Sequence, residues 1–137
     1  MQMLEIDGSR GEGGGQMVRT SVAMATVTSK PTHLTRIREN RPTNGLSKQH
    51  CAAVNAVAEM AGSTVEGNSI GSRELIFLPG KEQVYDIQMN IGTAGSVSLV
   101  LQAMFLAARN HKKKLTVDIS GGTNVMWAQT SQDGSSG

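Results

Sequence analysis

The segment "LEIDGSRGEGGGQMVRTSVAMATV" (residues 4–27) decides how this chain is built. Leu4 and Ile6 alternate with Glu5 and Asp7, the period-two pattern of a short strand, and Gly8 ends it. Glycines at 11, 13, 14 and 15 then crowd around Glu12. Immediately afterwards Val18, Val22 and Ala25 fall on one helical face, which carries a helix to about Ser29. A flexible linker does not usually run straight into packed structure. The glycine turn therefore reads as a place where something approaches the main chain closely.

Outward from that segment, "KP" stops the first helix and "HLTRIR" (33–38) reads as a second strand. "ENRPTNG" is a turn cluster. Leu46, Ala53, Val57 and Met60 share a face, predicting a second helix over 46–61 that Gly62 ends. "STVEG" and "ELIFLP" follow as a strand pair around the turn "GNSIGS". "YDIQMNIG" (85–92) reads as another strand, running into a glycine turn. "AGSVSLVLQAMFLAAR" (94–109) is the most apolar helix, with Val97, Val100, Leu101, Met104 and Phe105 expected as a buried stripe. "HKKK" complements the dipole at its C-terminal end, and "LTVDIS" is a last strand.

A weak internal repeat runs through this order. "LEIDG", glycine turn, helix and "LTRI" match "YDIQMNIG", glycine turn, helix and "LTVDI". The expected fold class is α/β, a two-layer α+β sandwich. One βαβαββ unit occupies about 3–80, and a partial βαβ unit about 84–120. A single domain is expected over 1–128, and the stretch 129–137, which has no apolar period, reads as a disordered tail or an artificial extension. An incomplete second unit leaves an open sheet edge that a second copy of the chain would pair with, so a homo-oligomer is expected by that route.

At 137 residues and 38% hydrophobic, the chain is long enough for a real core, although aromatics make up only 3%. No run approaches the ~18 apolar residues that span a bilayer, and no leader opens the chain. A soluble, cytoplasmic protein with no membrane partner is expected. Cys51 is the only cysteine, which excludes an intrachain disulfide and a cysteine-rich metal centre. Its setting in "HCAAV" reads as a small buried hydrophobe. The net charge of +2 is too small to argue nucleic-acid binding by itself, so any anion site has to come from locally placed arginines.

"GEGGGQ" is neither a Walker loop, since no "GK[ST]" follows, nor a convincing dinucleotide fingerprint. As a bare pattern it fits a structural turn and a phosphate cradle equally well. Glu12 beside a phosphate would need a cation between them, which brings in a metal bridge; a solvated loop glutamate is the plain alternative. Arg19 falls near the start of the first helix, where a cation opposes the dipole. Arg36 and Arg38, on a strand, would share a side with Ile37 opposite, and Arg41 follows in the turn. If the first two strands are neighbours, Arg38 and Arg41 come near the glycine loop, where bidentate guanidinium suits phosphate oxygens. Each arginine alone reads first as a solvated surface charge; three of them converging on one end of a sheet are harder to dismiss. Gln49 and His50 open the second helix. His50 is first of all a satisfied core histidine, since it lies four residues after Leu46. Gln102 sits with Ser98 on the narrow polar face of the apolar helix, facing a cleft or solvent.

"EIDGSRGEGGGQMVRTSVAMA", "RIRENRPTNGLSKQHCAAV", "GSRELIFLPG", "IGTAGSVSLVLQA" and "SGGTNV" together resemble the RNA 3′-terminal phosphate cyclases. The blocks run in that family's order over residues 4–126, and "NVMW" is similar to archaeal members. The resemblance implies repeated βαβαββ units like the C-terminal domain of a bacterial translation initiation factor. It implies use of ATP and a divalent metal, magnesium or manganese, to turn an RNA 3′-phosphate into a 2′,3′-cyclic phosphate. The implied route adenylates a histidine, moves AMP to the RNA 3′-phosphate, and lets the neighbouring 2′-hydroxyl displace it.

Carried over by residue, the resemblance makes Glu12 the metal carboxylate and Gly11, Gly13, Gly14 and Gly15 the phosphate loop. Arg19, Arg38, Arg41, Gln49 and His50 match that family's polar set around the nucleotide and the RNA end, and Gln102 matches the glutamine of its "LVLQ" helix. The adenylated histidine of the family lies beyond position 137, and His33, His50 and His111 do not match it. The expectation is therefore an N-terminal portion that carries recognition residues without the nucleophile. A non-catalytic RNA-binding or ribosome-assembly module of the same lineage is the alternative. An enolpyruvyl-transferase-like domain shares the repeat architecture but not these motifs.

Overall fold

A computed structural model describes residues 3–9, 15–82, 84–90, 94–110, 115–119 and 123–127. In chain order the elements are β1 (Leu4–Asp7), α1 (Gly15–Thr28), β2 (Thr32–Thr35), α2 (Lys48–Met60), β3 (Thr64–Glu66) and β4 (Leu75–Leu78). They continue as β5 (Asp86–Met89), α3 (Ala94–Ala107), β6 (Leu115–Ile119) and β7 (Thr123–Trp127). The first six elements follow the order βαβαββ and build one sheet, β1-β2-β4-β3. β1 and β2 pair in parallel, with Ile6 opposite Leu34, because α1 carries the chain back between them. β4 pairs antiparallel with both β2 and β3. A second sheet runs β5-β6-β7, again opening with a parallel pair joined through a helix. Helices and strands thus combine in open sheets, the α/β class expected from the sequence.

The core forms where these periods agree. α1 buries Val18, Val22, Ala23 and Ala25, and α2 buries Ala53, Val54, Ala56, Val57 and Met60. Alternate residues of the strands, Leu34, Leu75 and Phe77, meet them from the first sheet. α3 packs against both α1 and α2, and Val100, Ala103, Met104 and Ala107 join the same cluster as Ile87, Leu115, Val117 and Ile119. Both helices that flank the candidate site are therefore held from two sides.

α2 has defined ends. Ser47 is the extended N-cap residue, and its side chain accepts the backbone N–H of His50. At the other end Gly62 takes a φ of +61°, and the Ser63 N–H reaches back to the Ala58 carbonyl at 2.8 Å, as in a Schellman motif. Between β2 and α2 the chain makes a long loop that is stitched to the segment before β4. Ile37 N–H bonds the Arg73 carbonyl at 3.0 Å, Leu46 N–H the Ser72 carbonyl at 2.8 Å, and Gly71 N–H the Leu46 carbonyl at 2.7 Å. Gly45, at φ +82°, closes this loop against the Gly71 backbone, where a Cβ has no room.

Five expectations are corrected. The second strand stops at Thr35 rather than running to Arg38, because Ile37 turns its N–H away to Arg73. Arg36 and Arg38 adopt left-handed φ values of 52° and 53°, so strand alternation does not govern their directions. α2 begins at Lys48, with Leu46 buried before the cap instead of inside the helix. Phe105 is 60% exposed, since the buried stripe of α3 follows 100, 103, 104 and 107, and Phe105 lies beside it. Finally, the second unit carries one more strand than expected: β7 pairs with β6, Ile119 opposite Thr123. The tail expected over 129–137 lies outside the described residues.

Burial separates two leucines of the first sheet that look alike in sequence. Leu34 is 1% exposed and Leu4 50%. Leu34→Ala is expected to cost about 2–5 kcal/mol of unfolding free energy, and Leu4→Ala about 1 kcal/mol or less. Urea denaturation of the two variants checks this; equal costs would contradict the placement of the core.

Candidate functional site

The site begins where the start of α1 meets the first turn of α2. A Cβ built on Gly15 would run into Nε2 of His50 and stand 3.1 Å from Nη1 of Arg19. Gly15 is a glycine for this reason: an imidazole edge and a guanidinium close on its Cα. The seat a side chain would have taken has two nitrogens as its nearest polar neighbours. It lies at a helix N-terminus, where unpaired backbone N–H groups add positive potential.

The state of His50 follows from its other nitrogen. The Ser47 backbone N–H donates to Nδ1 at 3.0 Å, and the Ser47 hydroxyl lies 3.0 Å from the same atom. A main-chain N–H can only donate, so Nδ1 is the acceptor and the neutral ring carries its proton on Nε2. His50 is 7% exposed. Burial first, then the charges of Arg38 and Arg19, lower its pKa to about 4. At neutral pH it is an uncharged N–H donor. Its neighbour Cys51 is half-buried, and burial pushes its thiol up, which keeps it protonated and unreactive.

Arg19 is braced from its own helix: Nη2 donates to Gln16 Oε1 at 3.0 Å. Partial burial lowers its pKa from the ordinary value. Arg38 is held by its Nη1 bond to the Gly45 carbonyl at 2.9 Å, within the stitched loop. Arg41 is exposed one turn further on, its N–H bonded to the Arg38 carbonyl. That turn touches the chain just after β1 through Asn40 Nδ2 and the Ser9 carbonyl, 3.5 Å apart. Arg36 leaves the group, turning to Asp7 at 3.8 Å and Glu39 at 3.9 Å.

The structure thus brings Arg19 and His50 together beside Gly15, with Arg38 near enough to His50 for its charge to act on that ring. Gln49 is exposed on the first turn of α2 next to His50. Gln102 is exposed on α3, and among the described residues no hydrogen bond joins it to the cluster. Glu12, Gly11, Gly13 and Gly14 lie outside the described residues. Among the described residues no group of three His, Cys, Asp or Glu side chains is arranged to hold a metal. Sequence reasoning missed Ser47. Its signal was a serine three residues before His50, a capping pattern with histidine in the place usual for Glu or Gln.

Two guanidinium groups, a neutral N–H and a helix N-terminus suit a phosphate-like anion. They also tie stability to pH. Below its ordinary pKa of 6.5 His50 takes a proton in the unfolded chain that the folded chain refuses until about pH 4. This contribution is complete above pH 6.5 and is lost as pH falls toward 4. Thermal unfolding of the chain and of His50→Gln across that range is expected to show a steeper loss on acidification in the parent; parallel curves would contradict it.

A sequence model of the RNA 3′-terminal phosphate cyclase family matches residues 10–133. An RNA 3′-terminal phosphate cyclase of Methanopyrus kandleri is 49% identical over 93% of this chain and 36% of its own length. One of Sulfolobus acidocaldarius is 51% identical over 90% of this chain and 36% of its own. One of Pyrococcus abyssi is 45% identical over 92% and 37%. The chain therefore spans little more than a third of the length of these archaeal relatives. With nearly all of its length matched by that model and by these proteins, the chain belongs to the RNA 3′-terminal phosphate cyclase family.

Proposed function

We propose that Gly15, Arg19, Arg38 and His50 hold a phosphate group during ATP-dependent conversion of an RNA 3′-phosphate to a 2′,3′-cyclic phosphate. The observation that carries this reading is the seat at Gly15, with His50 Nε2 and Arg19 Nη1 as its nearest polar atoms. ATP, when bound, would supply the activation that lets a 2′-hydroxyl attack, and a magnesium or manganese ion at Glu12 would offset phosphate charge. The rest is done by this chain's own groups. Arg19 and Arg38 bind and orient anionic oxygens. His50 donates a hydrogen bond without adding a third charge, and Gly15 leaves room for the approach. Arg41, Gln49 and Gln102 are exposed positions from which the nucleotide or RNA end would be contacted.

His50 is not the nucleophile in this reading. Its Nδ1 is engaged by Ser47 and its Nε2 carries the proton, so neither nitrogen offers a lone pair. His33 is held at one nitrogen, with Nδ1 2.8 Å from Glu5, while its buried Nε2 has no hydrogen-bond partner among the described residues. The covalent step is assigned to a histidine outside the sequence given. RNA ending in a 3′-phosphate is expected to bind more tightly than the 3′-hydroxyl form, and Arg38→Ala to reduce that preference about tenfold or more. With ATP labelled on its α-phosphate and a divalent metal, the chain is expected to take up no covalent label. Equal binding of the two RNAs would refute the phosphate seat, and a labelled histidine in this chain would refute the division of labour. RNA binding indifferent to both the end and ATP would favour a non-catalytic module instead.

A further inference from the structure

We infer that Ser47 is a positioning residue, which clamps His50 in its Nε2–H tautomer and so aims a neutral donor at the seat beside Gly15. The clamp has two arms. The Ser47 backbone N–H and its hydroxyl both lie 3.0 Å from Nδ1, while the same hydroxyl oxygen accepts the His50 backbone N–H at 3.4 Å. The hydroxyl proton is then free to point at Nδ1, since its oxygen accepts with a different lone pair.

The opposite tautomer fails at both ends. A proton on Nδ1 would face the Ser47 N–H, lose that bond, keep only the hydroxyl oxygen as a partner, and turn a lone pair toward the seat. A capping box normally puts Glu or Gln at this third helical position. A carboxylate there would bring negative charge into a place lined by Arg19 and Arg38. Histidine satisfies the cap and presents a donor on its far side. The bonds that begin α2 are thus the bonds that set the ring, and the site is organised before any ligand arrives.

The role of Ser47 in phosphate binding rests on the proposed function; the clamp itself is read in the ligand-free chain. Imidazole nitrogen resonances of the ¹⁵N-labelled protein distinguish a protonated from an unprotonated Nδ1. In the parent Nδ1 is expected to be the unprotonated nitrogen. Ser47→Thr keeps both arms and is expected to keep that pattern. Ser47→Asp keeps a good N-cap but puts a pure acceptor beside Nδ1, and is expected to move the proton there with α2 intact by circular dichroism. A residue needed only for the helix end would leave the tautomer of that variant unchanged. Nδ1–H in the parent overturns the clamp, and Nε2–H retained in Ser47→Asp overturns the part assigned to the Ser47 side chain, because the backbone N–H arm survives that substitution. A tautomer that behaves as expected in a chain indifferent to 3′-phosphate supports the clamp and refutes only the phosphate reading.

Discussion

The close approach at Gly15 is the constraint on which the site depends. Helices usually keep their ends apart because side chains fill the gap. Here the first residue of α1 has none, and the His50 ring and the Arg19 guanidinium close on it. That brings the start of α1 against the first turn of α2, so the positive end of the α1 dipole, the Arg19 charge and the His50 N–H act on one small volume. Each helix is fixed elsewhere: α1 and α2 pack against one another, and α3 packs on both. The separation at Gly15 is therefore set by the whole helical core.

Bringing cations together has a cost, and the site limits it in three ways. Arg19 shares its guanidinium with Gln16, and Arg38 gives one donor to the Gly45 carbonyl. The third basic group does not charge at all near neutrality, because burial and its two neighbours oppose protonation. An anion held there, as proposed, would relieve what repulsion remains between Arg19 and Arg38. Affinity and the instability of the empty site are two views of one electrostatic term.

Much of the fold was legible because it depends on local periods. Ile6 and Leu34 mark the faces of a parallel pair, and the helices end where Pro31 and Gly62 stand. The repeat also appeared as a repeated order of strand, helix and strand. What escaped notice was decided by contacts distant in sequence. No local pattern announces that Arg36 and Arg38 take left-handed backbone; the bond from Ile37 to Arg73 imposes it. The exposure of Phe105 depends on which side of an apolar helix meets α1 and α2. Arg19, Arg38 and His50 could each be singled out from sequence, but their meeting depends on a missing side chain at Gly15. Ser47 was overlooked because Leu46 extended the apolar face of α2 past its true start.

The stitching of the loop between β2 and α2 also bears on how the sequence can drift. Arg38 takes its place from main-chain bonds at Ile37, Gly45 and Leu46 and from burial of Ile37 and Leu46. Among the described residues, the exposed Pro42, Thr43 and Asn44 between them contribute no bond to that frame. The loop is a rigid hoop with a free rim. Substitutions on the rim can change what the surface offers while the arginine inside the hoop stays in place.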